Sequence, residues 1–484
     1  MAIESSEASA DLVIRNGTIV SADATTVGSI AIKDGRILSV GADAAMPPTR
    51  DTLDARGLHV LPGAIDVHVH FRDPGYPDKE DFFSGTAAAA CGGVTTVFDM
   101  PNTIPPTGTA AVLAAKHEMA AQKACVDFGL YGLLGEDTIE QVPALVEGGV
   151  IGFKLYMGNT FGKIPSPLTG AMLEAFEVVA PTGKRISLHA ETNSIMERRQ
   201  ERLTRAGRSD PLAHIASRPA VVAVEAVSRA AILAEWTGAR IHILHISSAE
   251  ELRPLREAKA RGIDITGETC PHYLLLSTED YHRFGGVIRV NPPVREPRNR
   301  EPLWQALADG TIDLIATDHA PHTPEEKTRN DIWAVDCGFP GVETQMALML
   351  TEVNNGRMSI CDYVRKSSFN PAKIFGLFPR KGAIQVGADA DLAIVELARS
   401  QTLDDAALHS RSKITPFNGR PVRGLPLHTL VRGRFIMKDR ELTAGVKGWG
   451  RSVHAIQHMP QPRLANTDLT MQAITRGGLR QAAE

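Results

Sequence analysis

The chain lacks the features that identify several large classes of protein. Its five cysteines are scattered, odd in number and never arranged as Cys-x-x-Cys, which argues against a disulfide framework and against a zinc knuckle. No stretch approaches the ~18 uninterrupted apolar residues of a membrane helix, and residues 1–10 lack the apolar run of a secretory signal. There is no run of Lys or Arg and the formal net charge is -4, so neither nucleic acid nor an anionic membrane is expected as a partner. We expect a cytoplasmic protein that acts on a small molecule.

Both ends of the chain carry short alternating patterns typical of β-strands. Residues 11–20 and 29–41 alternate between apolar and polar side chains, and Asp34-Gly35 between two apolar runs is a strong hairpin signal. The same pattern returns at residues 387–395 and 429–437. We therefore predict one small β-sandwich domain built from residues 1–60 and 380–445. Residues 446–484 are assigned to a polar C-terminal tail or to an arm onto a neighbouring subunit.

Between these ends, eight apolar runs of strand length alternate with Ala-rich stretches of helical period. The runs are residues 64–71, 94–100, 127–134, 150–157, 185–191, 240–247, 264–270 and 312–320. Eight such units predict an α/β fold, a closed (β/α)8 TIM-like barrel over residues 61–379, with its chemistry at the carboxyl ends of the strands. An open doubly wound sheet is the alternative, but the Gly-rich phosphate turn that usually follows its first strand is missing.

The first predicted barrel strand ends in the sequence Asp66-Val-His-Val-His-Phe-Arg72. Because side chains alternate along a strand, His68, His70 and Arg72 share one face, and the two imidazoles point into the mouth of the barrel. A single buried histidine is more often a hydrogen-bonded core residue. A His-x-His pair that closes an apolar strand nevertheless favours a metal site, since imidazole is the commonest nitrogen ligand of zinc-like ions.

Polar groups recur at the same level of four other predicted strands. They are Lys154, His189, His245 and Asp318. A lysine or an aspartate within an apolar run is costly unless it is paired or bound to a metal, so these residues support the metal site. His242 competes with His245, but His245 lies nearer the carboxyl end of the strand, which leaves His242 to packing or to the support of a ligand. His319 is also assigned to support, and His272 either lines the pocket or stabilises the fold.

From about residue 11 to about residue 442, these motifs resemble the cyclic amidohydrolases, the family of dihydroorotase, hydantoinase and allantoinase. The resemblance implies a centre of two divalent metal ions, with zinc expected before cobalt or manganese. It implies that two histidine pairs each bind one ion, namely His68 with His70 and His189 with His245. Lys154 would bridge both ions after carbamylation by carbon dioxide, and Asp318 would act as a ligand and as the catalytic proton shuttle.

Three further positions favour dihydroorotase within this family. Dihydroorotases resemble one another in gripping the substrate carboxylate with an Arg two places after the His-x-His pair, an Asn in a Met-Pro-Asn turn and a His four places after the catalytic Asp. This chain carries Arg72, Asn102 and His322 at those positions, and Asn291 resembles a residue of the substrate loop. An Arg fork suits a planar carboxylate because it donates two parallel hydrogen bonds. The first expectation is therefore the reversible conversion of N-carbamoyl-L-aspartate to L-dihydroorotate in pyrimidine biosynthesis.

Other segments favour a different substrate. Many bacterial dihydroorotases carry Asp at the bridging position, whereas the sequence around Lys154 resembles hydantoinase, allantoinase and the animal multifunctional dihydroorotase. Residues 409–419 and 448–453 also resemble hydantoinase or allantoinase. Hydantoinase, dihydropyrimidinase or allantoinase activity on another cyclic ureide is thus the alternative. A non-catalytic scaffold is a minor alternative, because the ligand positions of such scaffolds are typically depleted, whereas every one is filled in this chain. The family likeness also implies a homo-oligomer, either a dimer or a tetramer.

Overall fold

The computed structural model describes residues 9–162 and 164–454. It begins with five strands, which are β1 (Ala10–Val20), β2 (Thr25–Lys33), β3 (Arg36–Gly41), β4 (Thr49–Asp54) and β5 (His59–Pro62). β1 pairs antiparallel with β2 and parallel with β4 and β5. The predicted hairpin turn joins β2 to β3, with φ of 49° at Asp34 and 78° at Gly35. Both residues thus adopt the left-handed backbone that a two-residue turn of this kind requires.

Eight parallel strands follow and form the barrel. They are β6 (Ala64–Val69), β7 (Val94–Asp99), β8 (Asp127–Leu133), β9 (Gly152–Tyr156), β10 (Arg185–His189), β11 (Arg240–Ile243), β12 (Ile265–Thr269) and β13 (Leu314–Ile315). Each strand pairs with the next from β6 to β13. β13 and β6 are not paired as strands, but between the segments that follow them the His70 amide donates a hydrogen bond of 2.7 Å to the His319 carbonyl. The predicted (β/α)8 barrel is therefore confirmed, and it is nearly closed.

Helices surround these strands, and several of them are rich in alanine. Within the described residues they are α1 (Phe82–Cys91), α2 (Ala110–Lys123), α3 (Val142–Glu147), α4 (Thr169–Val179), α5 (Asn193–Arg205), α6 (Pro211–Ser217), α7 (Ala220–Thr237), α8 (Leu252–Ala260), α9 (Pro271–Leu275), α10 (Tyr281–Phe284), α11 (Arg300–Asp309), α12 (Pro324–Lys327), α13 (Gln345–Asn354), α14 (Ile360–Val364) and α15 (Asn370–Ile374). The Ser84 amide donates to the Asp81 carboxylate, which caps the start of α1. None of the helices described here is long and apolar enough to cross a membrane.

The β domain is completed by the C-terminal strands β14 (Leu392–Thr402), β15 (Pro421–Val431), β16 (Arg434–Lys438) and β17 (Glu441–Leu442). β14 pairs antiparallel with β5, so strands from both chain ends join in one mixed sheet of nine strands. The predicted β domain is confirmed, although its strands form one continuous sheet rather than two separate ones. The start of the predicted tail lies against the barrel, where the Val453 amide donates to the Phe128 carbonyl at 2.8 Å. The remainder of that tail, residues 455–484, lies outside the described residues.

A buried cluster of charges joins the barrel to the β sheet. The Lys381 side chain is 1% exposed and its ammonium contacts Asp391, Asp127 at 2.7 Å and Asp389 at 3.2 Å. Asp127 begins β8, whereas Asp391 immediately precedes β14. Arg432 also pairs with Asp127. Because a buried carboxylate is stable only when it is paired, these cations hold the two parts of the fold together.

Replacing Lys381 by Met is expected to lower the free energy of unfolding by about 3–5 kcal/mol, because the change leaves buried carboxylates without their cation. Urea denaturation followed by circular dichroism measures this loss. The control is Arg205→Met, which removes an exposed pair with Glu201 and should cost at most ~0.5 kcal/mol. Equal effects of the two substitutions would contradict the structural role of Lys381.

Candidate active site

A cavity opens at the carboxyl ends of the barrel strands. Nine of the ten predicted site residues line it, namely His68, His70, Arg72, Asn102, Lys154, His189, His245, Asn291 and Asp318. The tenth, His322, lies behind the cavity wall, with its Nε2 3.1 Å from Nη2 of Arg72. Residues far apart in the chain thus meet because parallel strands bring their carboxyl ends to the same rim.

His68, His70 and Asp318 form the first group of candidate ligands. Oδ1 of Asp318 lies 3.2 Å from Nε2 of His68 and 3.2 Å from Nε2 of His70. The other ring nitrogens are engaged elsewhere, since Nδ1 of His68 lies 2.6 Å from the Glu268 carboxylate and Nδ1 of His70 lies 2.7 Å from Oδ1 of Asn102. Because Nδ1 donates in each case, Nε2 of each ring keeps its lone pair for a metal ion.

His189 and His245 form the second group. Nδ1 of His189 lies 2.9 Å from Nε2 of His245, so the two lone pairs converge. Nε2 of His189 donates to the Glu191 carboxylate at 3.0 Å, and Arg218 pairs with the same carboxylate. Burial alone would raise the pKa of Glu191, but Arg218 and the bond from His189 lower that pKa to about 2. An ionised Glu191 therefore fixes the His189 tautomer that leaves Nδ1 free.

Lys154 reaches the same cavity from β9. Its side chain is buried, its ammonium lies 4.7 Å from the centre of the Tyr156 ring, and no salt bridge joins it to another described residue. Burial lowers the pKa of Lys154 to about 7. A substantial fraction of this lysine is therefore a neutral amine near neutral pH, which is the form that reacts with carbon dioxide.

The chemistry of these donors fits divalent metal ions. Ligand atoms of His68, His245 and Asp318 all lie within 4.8 Å of one another. Nε2 of His68 is buried and has no hydrogen-bond partner among the described residues. A buried polar atom without a partner costs about 1–3 kcal/mol, so its presence here favours a bound ion. His68, His245 and Asp318 are thus candidate ligands of a metal ion.

Three residues at this rim have a left-handed backbone that side chains rarely adopt. The φ values are 62° at Arg72, 39° at His245 and 49° at Asp318. Each of the three follows the end of its barrel strand. Such conformations cost ~1–3 kcal/mol each and collect at functional sites. The backbone strain thus turns these side chains toward the cavity at the points where the strands stop.

Arg72 is buried beside the metal-ligand candidates without a carboxylate partner in the described part of the chain. Nε donates to the Pro321 carbonyl at 3.3 Å, and the guanidinium carbon lies 4.4 Å from the centre of the Phe161 ring. Nη1 is buried without a hydrogen-bond partner. Leaving a buried charge unpaired is unfavourable, so the arrangement is suited to an anionic group of a ligand.

Two other predicted substrate contacts have additional tasks. Asn102 accepts a hydrogen bond from His70 and donates through Nδ2 to the Phe161 carbonyl at 3.4 Å, so it orients a candidate metal ligand as well as lining the cavity. Oδ1 of Asn291 lies 2.8 Å from Nε2 of His214. Both amides are thus held in place before any substrate arrives.

The remaining histidines lie outside the cavity lining. Nε2 of His242 lies 3.0 Å from the Glu268 carboxylate, which also contacts His68. His242 therefore supports a candidate ligand through Glu268, as one of its two expected roles. His319 accepts hydrogen bonds from the amides of Gly341 and Val342 at 3.1 and 3.3 Å, which anchors the loop after β13. The His272 ring packs 5.2 Å from that of Phe339.

Sequence reasoning missed several residues of the site. The Tyr156 hydroxyl is buried without a partner and Tyr156 lines the cavity with Phe161. Its place two residues after Lys154 on one strand was a usable signal. Glu268 stands inside one of the predicted strand runs, and Glu191 stands two residues after His189. Lys154 was identified because a charged residue within such a run is costly, and the same rule would have found both glutamates.

Comparison with known proteins agrees with this geometry. The model of the amidohydrolase family matches residues 59–436. The chain is 35% identical to an L-hydantoinase of Paenarthrobacter aurescens over 448 residues, which are 92% of this chain and 98% of that enzyme. It is 36% identical to an allantoinase of Deinococcus radiodurans over 443 residues, 91% of this chain and 98% of that enzyme. A dihydroorotase of Methanothermobacter thermautotrophicus matches at 36% over 420 residues, 86% of this chain and 92% of that enzyme.

The fold likeness leads to the same family. The structure of an L-hydantoinase from Arthrobacter aurescens superimposes with a TM-score of 0.90 at 35% identity, covering 92% of this chain and all of that one. Together the relatives favour the hydantoinase and allantoinase alternative over the dihydroorotase expectation. They confirm the resemblance to cyclic amidohydrolases, and the chain belongs to the amidohydrolase family.

Proposed function

We propose that this chain hydrolyses an amide bond in the ring of a cyclic ureide, of the kind opened by hydantoinases and allantoinases. The observation that carries the proposal is the convergence of two histidine pairs, Lys154 and Asp318 on one buried cavity. The L-hydantoinase and the allantoinase named above match 92% and 91% of the chain, which supports a ureide substrate.

Each residue then has a chemical task. The two histidine pairs, Asp318 and Lys154 in its carbamylated form would hold divalent ions, and these would supply acidification of the attacking water and polarisation of the ring carbonyl. Asp318 takes a proton from that water at its free carboxylate oxygen and gives it to the leaving ring nitrogen. Burial raises the pKa of Tyr156 well above its ordinary value, so its hydroxyl stays protonated and donates to the carbonyl oxygen as negative charge develops.

A specific observation supports dihydroorotate as a second candidate substrate. Arg72 is buried, has no carboxylate partner among the described residues and has an unpaired Nη1. A ring that carries a carboxylate would supply the missing anion, whereas an unsubstituted hydantoin would not. The two candidates share one reaction and differ in what Arg72 contacts.

A panel of hydantoin, allantoin, dihydrouracil and dihydroorotate tests both candidates on the metal-loaded protein. We expect at least one of the first three rings to be opened, and the loss of ring absorbance measures this reaction. If none of the four rings is opened by protein that has two bound ions, the proposed function is wrong. Turnover of dihydroorotate alone would replace the first candidate by the second.

Replacing Arg72 by Met separates the two candidates further. If the substrate carries a carboxylate, kcat/KM should fall by about 10–200-fold, because one charge-assisted contact contributes ~1.5–3 kcal/mol. Neutral rings should be opened at a rate within about threefold of the original, because they lose no charged partner. Arg72→Lys is the matched control, since it keeps the charge and loses the fork. An unchanged kcat/KM for dihydroorotate in Arg72→Met would refute the carboxylate contact.

The lowered pKa of Lys154 predicts how the metal-free protein regains activity with bicarbonate and zinc. At constant dissolved carbon dioxide, the rate of reactivation should rise about tenfold from pH 6 to pH 8 and then level off, because a group with a pKa of about 7 becomes neutral in that range. Activity after timed mixing measures the rate. Lys154→Arg should not reactivate. A rate that keeps rising tenfold per unit beyond pH 9 would indicate an ordinary lysine pKa of ~10.4 instead.

A further inference from the structure

Glu268 lies next to the candidate metal ligands, although it does not line the cavity. It belongs to β12 and its side chain is fully buried. One carboxylate oxygen lies 2.6 Å from Nδ1 of His68 and accepts the His245 amide at 3.2 Å. The other oxygen lies 3.0 Å from Nε2 of His242. Glu268 therefore contacts three histidines and is a hydrogen-bond acceptor for each.

These contacts reach both groups of candidate ligands. His68 belongs to the pair that faces Asp318, whereas His245 belongs to the pair with His189. The contact with His68 sets the tautomer of its ring, because a donating Nδ1 leaves the lone pair on Nε2. The contact with His245 holds a backbone amide at a residue whose φ is 39°. One oxygen thus fixes a ring in one group and a strained backbone in the other.

Glu191 offers a contrast within the same site. It accepts a hydrogen bond from His189 and pairs with Arg218, and it contacts no other candidate ligand. Its influence is therefore confined to one group. Glu268 has no cation of its own at salt-bridge distance other than the histidine rings in the described residues. Its orientation comes from His242, whose Nδ1 lies 2.8 Å from Oγ1 of Thr266.

We propose that Glu268 is a positioning residue shared by both metal sites, so that each site depends on the same carboxylate for the geometry of its ligands. The inference rests on the proposed function in that it assumes two bound ions. It extends that function by predicting that the two binding steps fail together when this carboxylate is changed.

Glu268→Gln tests the proposal because glutamine keeps the size of the side chain but replaces one acceptor oxygen by a donor. The metal-free protein is titrated with zinc in competition with a chelator, and with cobalt followed by its visible spectrum. Both binding steps should weaken by about 10–100-fold, the effect typical of losing a carboxylate that supports a ligand. Glu191→Gln should weaken one step only.

Glu251→Gln is the matched control. Glu251 is also a buried glutamate beside the barrel strands, but it accepts its hydrogen bonds from Ser247 and Ser248 and contacts no candidate ligand. It should leave both zinc steps unchanged. The melting temperature of each metal-free variant reports any general loss of stability.

Unchanged zinc affinity in Glu268→Gln would overturn the proposal, as would weakening confined to one step. A fall in the melting temperature of the metal-free variant without a change in affinity would also overturn it, because that result shows a purely structural role. If the unaltered chain binds no divalent ion, the proposed function fails instead, which is a distinct outcome.

Discussion

The site depends on one constraint, which is that charged and polar groups must leave water and still keep partners. Three of the four histidines among the candidate ligands meet this constraint through the ring nitrogen that faces away from the proposed ions. Glu268 accepts a hydrogen bond from His68, Asn102 accepts one from His70 and Glu191 accepts one from His189. These contacts satisfy the far side of each ring and leave the near side with a free lone pair. Nε2 of His68 and the Tyr156 hydroxyl, which belong to residues that line the cavity, are left without partners among the described residues.

The backbone supplies the second half of this arrangement. Barrel strands are short, and the functional side chains stand at or just after their carboxyl ends, where hydrogen-bonded pairing stops and the chain can turn. The left-handed conformations of Arg72, His245 and Asp318 are tolerated there because the surrounding fold holds them. The ion cluster around Lys381 stabilises the other end of the barrel. Its ion pairs join the barrel to the β sheet at the start of β8, the end of that strand away from the site.

Much of this could be predicted from the sequence because the pattern is local. Apolar runs of strand length gave all eight barrel strands, and a charged residue inside such a run identified Lys154 and Asp318. The β domain was also foreseen, but not the joining of its strands into one sheet, because pairing between β5 and β14 is set by contacts between distant residues. The hydrogen bonds that join Glu268 to His68 and His242 could not be predicted, because they link different strands. Alternation along β11 does not extend to His245, because the strand ends at residue 243.

The choice of substrate illustrates where local patterns stop being informative. Sequence motifs placed Arg72 in a carboxylate grip, whereas relatives over more than nine tenths of the chain are named hydantoinase and allantoinase. Both observations are compatible with the proposed metal centre, because the residues proposed to open the ring are separate from Arg72, which is proposed to contact a ring substituent. A buried guanidinium stacked on Phe161 with an unpaired Nη1 is costly without an anion. Arg72 is therefore the residue at which the two candidate substrates would differ, while the groups proposed to open the ring would act on either one.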